Sequence, residues 1–295
     1  MALVATLISN PRSPAVSLPL ANMASRAVGA SEVRWLDESI ACDLMLPDDA
    51  KQEEAEAILR EAMAGNPVDV AVQPSQARRK KMLIADMDST MIDQECIDEL
   101  ADEIGIKDHV AAITARAMNG EIAFEPALRE RVALLEGLQL EVIEQVITGR
   151  ITLAAGGREL IATMRNAGAY TALVSGGFDI FTGRIAALLG FHEHRANQLV
   201  IQSGKLAGTV VEPILGRQAK AAALLEIAAR LELDLSEVMA VGDGANDLDM
   251  LRLAGTGVAI HAKPAVAAEV HIRIDHGDLT ALLYLQGYSR NDFAR

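Results

Sequence analysis

The chain has 295 residues, which suggests one large or two moderate domains, and its formal net charge of −14 argues against nucleic acids and anionic membranes as partners. Of these residues 51% are hydrophobic and 3% are aromatic, so aliphatic side chains must build the core. Two cysteines form no disulfide framework, and no apolar run reaches the roughly 18 residues that span a bilayer. We therefore predict a soluble cytoplasmic protein.

The N-terminal part of the chain alternates between short apolar runs and amphipathic helical patterns. The predicted elements are a strand at Leu3–Ser9, a helix at Pro19–Val28, one or two strands in Glu32–Met45, a helix at Asp48–Met63 and a strand at Val68–Val72. This βαββαβ order is typical of a ferredoxin-like α+β domain, which we assign to residues 1–75. The polar and basic residues 76–81 are interpreted as a linker.

In residues 82–295, strands and helices alternate in the pattern of a doubly wound, Rossmann-like α/β domain with a parallel sheet. The predicted strands are Met82–Ala85, Tyr170–Val174, Val238–Val241, Gly257–Ile260 and His271–Ile274. The predicted helices between them include Arg158–Asn166, Phe178–Leu189 and Gln218–Leu231. A β-hairpin is predicted in Gln198–Val211, turning at Ser203-Gly204.

The segment between the first two predicted strands of this sheet is much longer than the roughly 30 residues of a βαβ unit. It contains four helical patterns, with apolar faces formed by Ile97, Leu100, Ala101 and Ile104; Val110, Ile113 and Ala117; Phe124, Leu128, Val132 and Leu135; and Val142, Ile143, Val146 and Ile147. Gly105 is suited to end the first of these helices. We predict a helical cap inserted at about residues 95–154, covering the carboxyl end of the sheet.

Polar residues cluster near the ends of the predicted strands. The four segments are Asp86-Met-Asp88-Ser-Thr90; Val174-Ser175-Gly176-Gly177, where we predict that a strand turns into a helix; Lys220, early in a helix; and Gly242-Asp243-Gly-Ala-Asn246-Asp247. Each segment taken singly also fits a helix cap, a tight turn or a surface charge. Ligands in open α/β sheets bind beyond the carboxyl ends of the strands. Together, the segments therefore predict one site.

In this order and position, the four segments resemble the haloacid-dehalogenase superfamily of phosphotransferases over roughly residues 81–285. The resemblance implies that Asp86 is a nucleophile that forms an aspartyl-phosphate, and that Asp88 is the general acid and base. It also implies that Ser175 and Lys220 hold the phosphoryl group and that Asp243 binds Mg²⁺.

Elementary chemistry agrees with these roles. Phosphate monoesters hydrolyse very slowly in water, and a carboxylate nucleophile divides the reaction into two easier steps. Mg²⁺ takes oxygen ligands, which Asp86, the main-chain carbonyl of Asp88 and Asp243 can supply. Main-chain N–H groups around Gly176, at the predicted helix N-terminus, would bind the phosphoryl group together with Ser175. Asp247 is expected to orient either Lys220 or a metal-bound water.

Two charged residues of the cap indicate the substrate. On its predicted helix, Arg131 falls about 60° from the centre of the apolar face, at the rim of a buried pocket, whereas Arg129 falls about 100° away on the other side. Arginine suits bidentate binding of a carboxylate, and Glu95 can pair with an ammonium group. An arginine and a glutamate opposite a phosphoryl site predict a phosphorylated amino acid as substrate. A surface ion pair is the alternative.

Five longer segments resemble the phosphoserine phosphatase family: Asp86–Glu95, Ala117–Phe124, Leu128–Leu135, Val174–Asp179 and Val241–Asp247. The resemblance implies hydrolysis of O-phospho-L-serine to L-serine and phosphate, the last step of serine biosynthesis. It places Glu95 and Arg131 on the amino-acid end, Met118 and Phe124 along the pocket, and Asn246 near the phosphate.

Two alternatives to this activity remain. One is a phosphotransferase that passes the phosphoryl group of phosphoserine to homoserine with the same catalytic residues. The other is an amino-acid-binding regulatory protein with an inactive catalytic domain, against which the presence of Asp86, Asp88, Lys220 and Asp243 argues. Longer bacterial members of the family carry ACT-like domains before the catalytic domain. Residues 1–75 therefore fit either an amino-acid sensor or a dimerisation domain, and the second role would make the protein a homodimer.

Overall fold

The computed structural model describes residues 2–294, which divide into two compact units. The first unit comprises the chain up to Lys81, Ala155–Gly168 and the chain from Ile272 onward. The second unit comprises Met82–Ala154 and Ala169–His271. Within the described range, no helix is long and apolar enough to cross a membrane. The domain boundaries predicted from the sequence stay predictions.

The N-terminal part of the first unit has the predicted α+β fold. Its elements are β1 (Leu3–Ile8), α1 (Leu18–Ala27), β2 (Glu32–Asp37), β3 (Ala41–Met45), α2 (Gln52–Ala62) and β4 (Asp69–Pro74). The sheet is antiparallel in the order β2-β3-β1-β4. The buried side chains of Leu7, Leu44, Leu59 and Val72 belong to its core. This topology confirms the ferredoxin-like fold.

The remaining elements alternate largely as the sequence predicted. They are β5 (Met82–Ala85), α3 (Cys96–Asp102), α4 (Lys107–Met118), α5 (Phe124–Ala133), α6 (Leu140–Gly149), α7 (Gly157–Asn166), β6 (Tyr170–Phe178), α8 (Asp179–Leu189), β7 (Glu193–Asn197), β8 (Leu199–Gln202), β9 (Lys205–Val210), α9 (Arg217–Arg230), β10 (Val238–Gly242), α10 (Leu248–Leu253), β11 (Thr256–Ile260), α11 (Pro264–Ala267), β12 (Ile272–Ile274) and α12 (Ala281–Leu285). Strand β7 was not predicted. Elements α7, β12 and α12 belong to the first unit.

The second unit contains a parallel sheet of five strands in the order β11-β10-β5-β6-β7. Strands β5 and β10 are buried along their whole length, as expected for parallel strands covered on both faces. The chain passes from β5 to β6 and β7 on one side and returns to β10 on the other. This reversal is the topological switch point, where ligands bind in such sheets. The doubly wound α/β fold is confirmed.

Helices α3–α6 lie between β5 and β6 in the chain and form the cap, where the sequence predicted four helices. Most of the apolar positions predicted for these helices are buried. Ile104 is 43% exposed, so its predicted place on an apolar face was wrong. The reason is that α3 already ends at Asp102, and Gly105, with φ of +74°, turns the chain away.

Strand β6 is longer than predicted. The sequence predicted a strand that ends at Val174, a turn with Gly176 and a helix that begins at Phe178, whereas β6 continues to Phe178 and α8 begins at Asp179. The pairing of β6 with β7 shifts register between Val174 and Phe178, and glycines suit such an irregularity. Gly176 therefore lies inside a strand, and its predicted place at a helix N-terminus was wrong.

The predicted hairpin is formed by β8 and β9, which pair antiparallel. Ser203 and Gly204 at its turn both have positive φ, 51° and 77°. Positive φ at both central residues is the mark of a type I′ turn, whose twist matches that of the strands.

Candidate active site

Three buried carboxylates meet at the switch point of the parallel sheet. Asp86 follows β5 and Asp243 follows β10, and these two strands are neighbours in the sheet. Asp247 follows one turn later. Asp86, Asp243 and Asp247 each offer one carboxylate oxygen, and these oxygens lie within 4.8 Å of one another. Three anions this close repel one another unless cations compensate them.

Lys220 supplies one compensating charge. Its Nζ lies 2.6 Å from Asp86 Oδ1 and 2.6 Å from Asp247 Oδ1, and its side chain is fully buried. Burial lowers the pKa of Lys220, but Asp247 and Asp86 raise it by more, so the ammonium stays charged. One of the two roles predicted for Asp247, orienting Lys220, matches this contact.

One lysine does not balance three carboxylates. Burial and Asp247 raise the pKa of Asp86 well above its usual range, in spite of Lys220. Burial, Glu95 and Asp247 raise the pKa of Asp243 in the same way. Asp243 Oδ2 is buried and has no hydrogen-bond partner among residues 2–294, and Lys263 Nζ lies 3.8 Å from it. An oxygen-only donor set with an uncompensated oxygen fits a divalent metal ion.

The metal ligands predicted from the sequence were Asp86, Asp243 and the main-chain carbonyl of Asp88. The structure brings the first two together and adds the carboxylate of Asp247. The carboxylate of Asp88 is not part of this cluster and accepts hydrogen bonds from two other residues. Its Oδ1 accepts the main-chain N–H of Cys96 at 2.8 Å, and its Oδ2 accepts the hydroxyl of Ser175 at 3.2 Å. The carbonyl of Asp88 stays a predicted ligand.

Glycines let the walls of the site approach one another. Ser175 Oγ accepts the N–H of Gly177 at 2.9 Å, which orients the hydroxyl. A Cβ at Gly177 would lie 2.6 Å from Asp88 Oδ2, and one at Gly176 would lie 2.6 Å from Phe124 Cζ. Both distances are too short for real atoms, so side chains at these positions would displace Asp88 or Phe124.

A cavity joins the carboxylates to the cap. Its lining residues are Asp86, Asp88, Glu95, Ile97, Met118, Phe124, Leu128, Arg131, Ser175, Gly176, Gly177, Phe178, Asp243 and Asn246. This set includes ten residues predicted for the site or its pocket, namely Asp86, Asp88, Glu95, Met118, Phe124, Arg131, Ser175, Gly176, Asp243 and Asn246. Lys220 contacts the cavity residue Asp86. Asn246 is buried, and its side-chain oxygen has no hydrogen-bond partner within the described part of the chain.

Glu95 and Arg131 occupy the cap side of the cavity. Glu95 precedes α3, and its Oε1 accepts the hydroxyl of Ser89 at 2.7 Å. Burial, followed by the nearby Asp88, raises the pKa of Glu95 to about 7. Arg131 is 2% exposed and lines the cavity, so it lies beside a buried pocket, as its position on the predicted helix indicated. Helix α5, which carries Arg131, packs against α4, and the guanidinium of Arg131 contacts Thr114 of α4.

The surface-ion-pair alternative does not describe Arg131. Its Nε donates to the carbonyl of Ala127 at 3.1 Å and its Nη1 to Thr114 Oγ1 at 2.9 Å. No carboxylate in the described residues lies within ion-pair distance of its guanidinium. By contrast, the side chain of Arg129 is 50% exposed and pairs with Glu212. Thus the cavity contains a buried guanidinium that makes no direct ion pair among the described residues.

The sequence interpretation missed the residues that hold these groups. Cys96 fixes Asp88, Ser89 fixes Glu95, and Thr114 fixes Arg131. Thr114 carried a usable signal, because it is a polar residue beside Val110 and Ile113 on the apolar face of its predicted helix.

The model of haloacid dehalogenase-like hydrolases matches residues 83–252, more than half of the chain. The chain belongs to the haloacid dehalogenase-like hydrolase family. The matched region contains both aspartate segments, Ser175, Lys220 and the whole cap.

Curated relatives of this haloacid dehalogenase-like hydrolase include phosphoserine phosphatases. One from Methanocaldococcus jannaschii is 41% identical over 206 residues, which are 70% of this chain and 97% of the relative. One from Archaeoglobus fulgidus is 44% identical over 198 residues, which are 66% of this chain. The matched region is 57% of the Archaeoglobus relative's length and 55% of that of a relative from Streptomyces coelicolor.

Solved structures extend the likeness to this hydrolase. A phospho-aspartyl intermediate analogue of a phosphoserine phosphatase superposes with a TM-score of 0.67 at 41% identity, over 70% of this chain and 98% of that one. A hydrolase of the same family from Salmonella enterica serovar Typhi superposes with a TM-score of 0.84 at 30% identity, over 96% of this chain and 98% of that one. The second likeness includes the N-terminal part of the chain.

Proposed function

We propose that this hydrolase converts O-phospho-L-serine and water to L-serine and phosphate, through an aspartyl-phosphate on Asp86. The observation that carries the proposal is the content of one cavity, whose lining includes Asp86, Glu95 and Arg131. These groups suit, in turn, a phosphoryl group, an ammonium and a carboxylate. The phosphoserine phosphatases among the relatives support the same substrate.

In the first half-reaction, Asp86 attacks phosphorus and the bond from phosphorus to the serine oxygen breaks. Asp86 Oδ1 is engaged by Lys220 and by the N–H of Met87 at 2.7 Å, whereas its Oδ2 has no hydrogen bond within residues 2–294. Oδ2 is therefore the oxygen that attacks. Asp88, whose pKa is raised by burial, gives its proton to the leaving serine alkoxide.

In the second half-reaction, water attacks the phosphorus of the aspartyl-phosphate, which releases phosphate and restores the Asp86 carboxylate. Asp88 takes the proton of that water, so the same carboxyl group acts first as acid and then as base. Lys220 and Ser175 stabilise the charge on the phosphoryl oxygens. A divalent cation held by Asp86, Asp243 and Asp247 would neutralise charge around the phosphoryl group when bound.

We further propose that the cation is Mg²⁺, since every side-chain donor at the site is an oxygen. The free, buried thiols of Cys42 and Cys96 support a reducing cytoplasm as the place of action. Dimerisation through the N-terminal domain, and the split into residues 1–75 and 82–295 with a linker at 76–81, are proposed on the sequence alone.

The experiment is phosphate release from O-phospho-L-serine with Mg²⁺ and with EDTA, beside O-phosphoethanolamine, which lacks the carboxylate, and 3-phosphoglycerate, which lacks the ammonium. We expect a metal-dependent preference for phosphoserine, and no turnover by Asp86→Asn with an unchanged circular dichroism spectrum. Near-normal turnover by Asp86→Asn would remove the nucleophile assignment. A preference for another ester would overturn the substrate. Homoserine phosphate formed in the presence of homoserine would favour the phosphotransferase.

A further inference from the structure

A chain of hydrogen bonds joins Arg131 to a second acidic residue of the cap. Arg131 Nη1 donates to Thr114 Oγ1 at 2.9 Å, and Thr114 Oγ1 donates to Asp98 Oδ1 at 2.7 Å. The three residues come from α5, α4 and α3, and all three side chains are buried. The chain therefore ties three cap helices together behind the cavity.

The direction of these hydrogen bonds is fixed by the chemistry of the threonine. Its hydroxyl has one proton, and guanidinium N–H groups only donate, so Oγ1 must accept from Arg131 and pass its own proton onward. Asp98 Oδ1 lies closer to Oγ1 than the alternative acceptor, the carbonyl of Val110, at 2.7 Å against 3.1 Å. The negative charge of Asp98 thus stabilises the guanidinium of Arg131 through Thr114, and Asp98 accepts none of the guanidinium N–H groups itself.

The same contacts leave part of Arg131 available. A guanidinium carries five N–H donors. One is bound to the carbonyl of Ala127 and one to Thr114, and no other acceptor among the described residues is hydrogen-bonded to it. The remaining donors belong to a side chain that lines the cavity, where they can bind a carboxylate in bidentate geometry.

We infer that Thr114 and Asp98 are positioning residues that set substrate specificity, by holding Arg131 so that its unoccupied donors meet the carboxylate of the substrate. The inference rests on the proposed function. Arg131 shares its cavity with Glu95, whose carboxylate attracts it. A loosely held guanidinium would pair with Glu95, and both amino-acid-binding groups would be lost to the substrate.

The test compares Thr114→Val, which keeps the shape but removes the hydroxyl, with Thr114→Ser, which keeps the hydroxyl. For each variant, kcat and KM are measured on O-phosphoserine and on O-phosphoethanolamine. We expect Thr114→Val to raise KM for phosphoserine at least about tenfold, because hydrogen bonds to charged groups are among the stronger ones. Both constants for phosphoethanolamine should stay within about twofold of wild type, since that ester has no carboxylate. Thr114→Ser should resemble wild type.

A merely structural role would give a different pattern. Equal losses on both esters by Thr114→Val would overturn the inference, as would an unchanged preference for phosphoserine. The double variant Arg131→Ala/Thr114→Val should lose no more on phosphoserine than Arg131→Ala alone, because the threonine acts through the arginine. If Thr114→Val does not fold, Asp98→Asn serves the same comparison, since it keeps an acceptor oxygen but removes the charge.

Measurements on the wild-type protein distinguish a failure of the proposed function from a failure of the positioning role of Thr114 and Asp98. A wild type without a preference for phosphoserine over phosphoethanolamine contradicts the proposed function, and with it the basis of the inference. A wild type with that preference, retained in Thr114→Val and in Asp98→Asn, contradicts the positioning role alone.

Discussion

The ammonium of Lys220 lies 2.6 Å from one carboxylate oxygen of Asp86, and neither side chain is open to solvent beyond a few per cent. The same ammonium lies 2.6 Å from Asp247. A buried charge pair of this kind adds little net stability, but the loss of one partner leaves the other charge uncompensated. The lysine therefore compensates two neighbouring carboxylates, in addition to the proposed role of holding a phosphoryl group.

Lys220→Met should destabilise the protein at neutral pH by about 3–5 kcal/mol, the usual cost of removing one partner of a buried pair. The pKa of Asp86 is already raised in the folded state, and it rises further without the lysine. The folded state then binds more protons than the unfolded one above the ordinary pKa of about 3.9, so its stability falls as pH rises through that window. Thermal unfolding measured against pH tests this. Lys205→Met, which replaces an exposed lysine, is the control. Equal changes of Tm in the two variants would contradict the predicted role of the buried ion pair.

Arg131→Ala should raise KM for phosphoserine at least about thirtyfold, because a buried charged contact with the substrate carboxylate is lost. KM for phosphoethanolamine should change little. Arg129→Ala is the matched control, since it removes an arginine from the same helix that is 50% exposed and paired with Glu212. Steady-state kinetics on both esters decide the matter, and equal losses on the two would take Arg131 out of substrate binding.

Glu95 predicts a pH dependence of substrate binding. Its pKa of about 7 means that the carboxylate is ionised above that pH and protonated below it. Only the ionised form pairs with the substrate ammonium, so KM for phosphoserine should rise as pH falls through about 7. Dividing by KM for 3-phosphoglycerate cancels the titration of the substrate phosphate, whose pKa is about 6. In Glu95→Gln the ratio of KM for phosphoserine to KM for 3-phosphoglycerate should not change with pH. A ratio independent of pH in the wild type would show that Glu95 does not bind the ammonium.

Mg²⁺ should stabilise the folded protein, because it compensates three carboxylates that repel one another. A ligand of the folded state at 100 times its Kd contributes about 2.7 kcal/mol, which is a rise of several degrees in Tm. Thermal unfolding with Mg²⁺ and with EDTA, at constant ionic strength, measures the difference. Asp243→Asn should shrink it, and an identical Tm in Mg²⁺ and EDTA would argue against a metal ion at this site.

The sequence was sufficient to predict that Asp86 and Asp243 lie close together. Asp86 and Asp243 follow short apolar runs that are typical of buried parallel strands, and the carboxyl ends of such strands meet at one edge of the sheet. The ferredoxin-like topology also followed from the order of its elements. Both deductions depend on local patterns and on general rules of chain connection, which a single sequence contains.

The structural features that the sequence did not predict depend on contacts between segments that are distant in the chain. The continuation of β6 through Gly176 requires its pairing with β7, a strand that was not predicted. The hydrogen bond of Arg131 with Thr114 requires α4 as well as α5, and a helical projection shows only one helix at a time. The bond between Thr114 and Asp98 likewise joins two cap helices. Each of these is decided by packing rather than by the residues near it in the chain.

The close approach of Phe124 to Gly176 has a consequence for the access of water to the cavity. The ring belongs to the cap and its seat to the sheet, and it also lies near Gly216 at the start of α9, where a Cβ would be 3.3 Å away. The ring therefore forms part of the wall where the cap meets the sheet. A methyl group at position 176 would displace the ring from this place and open that part of the wall to water.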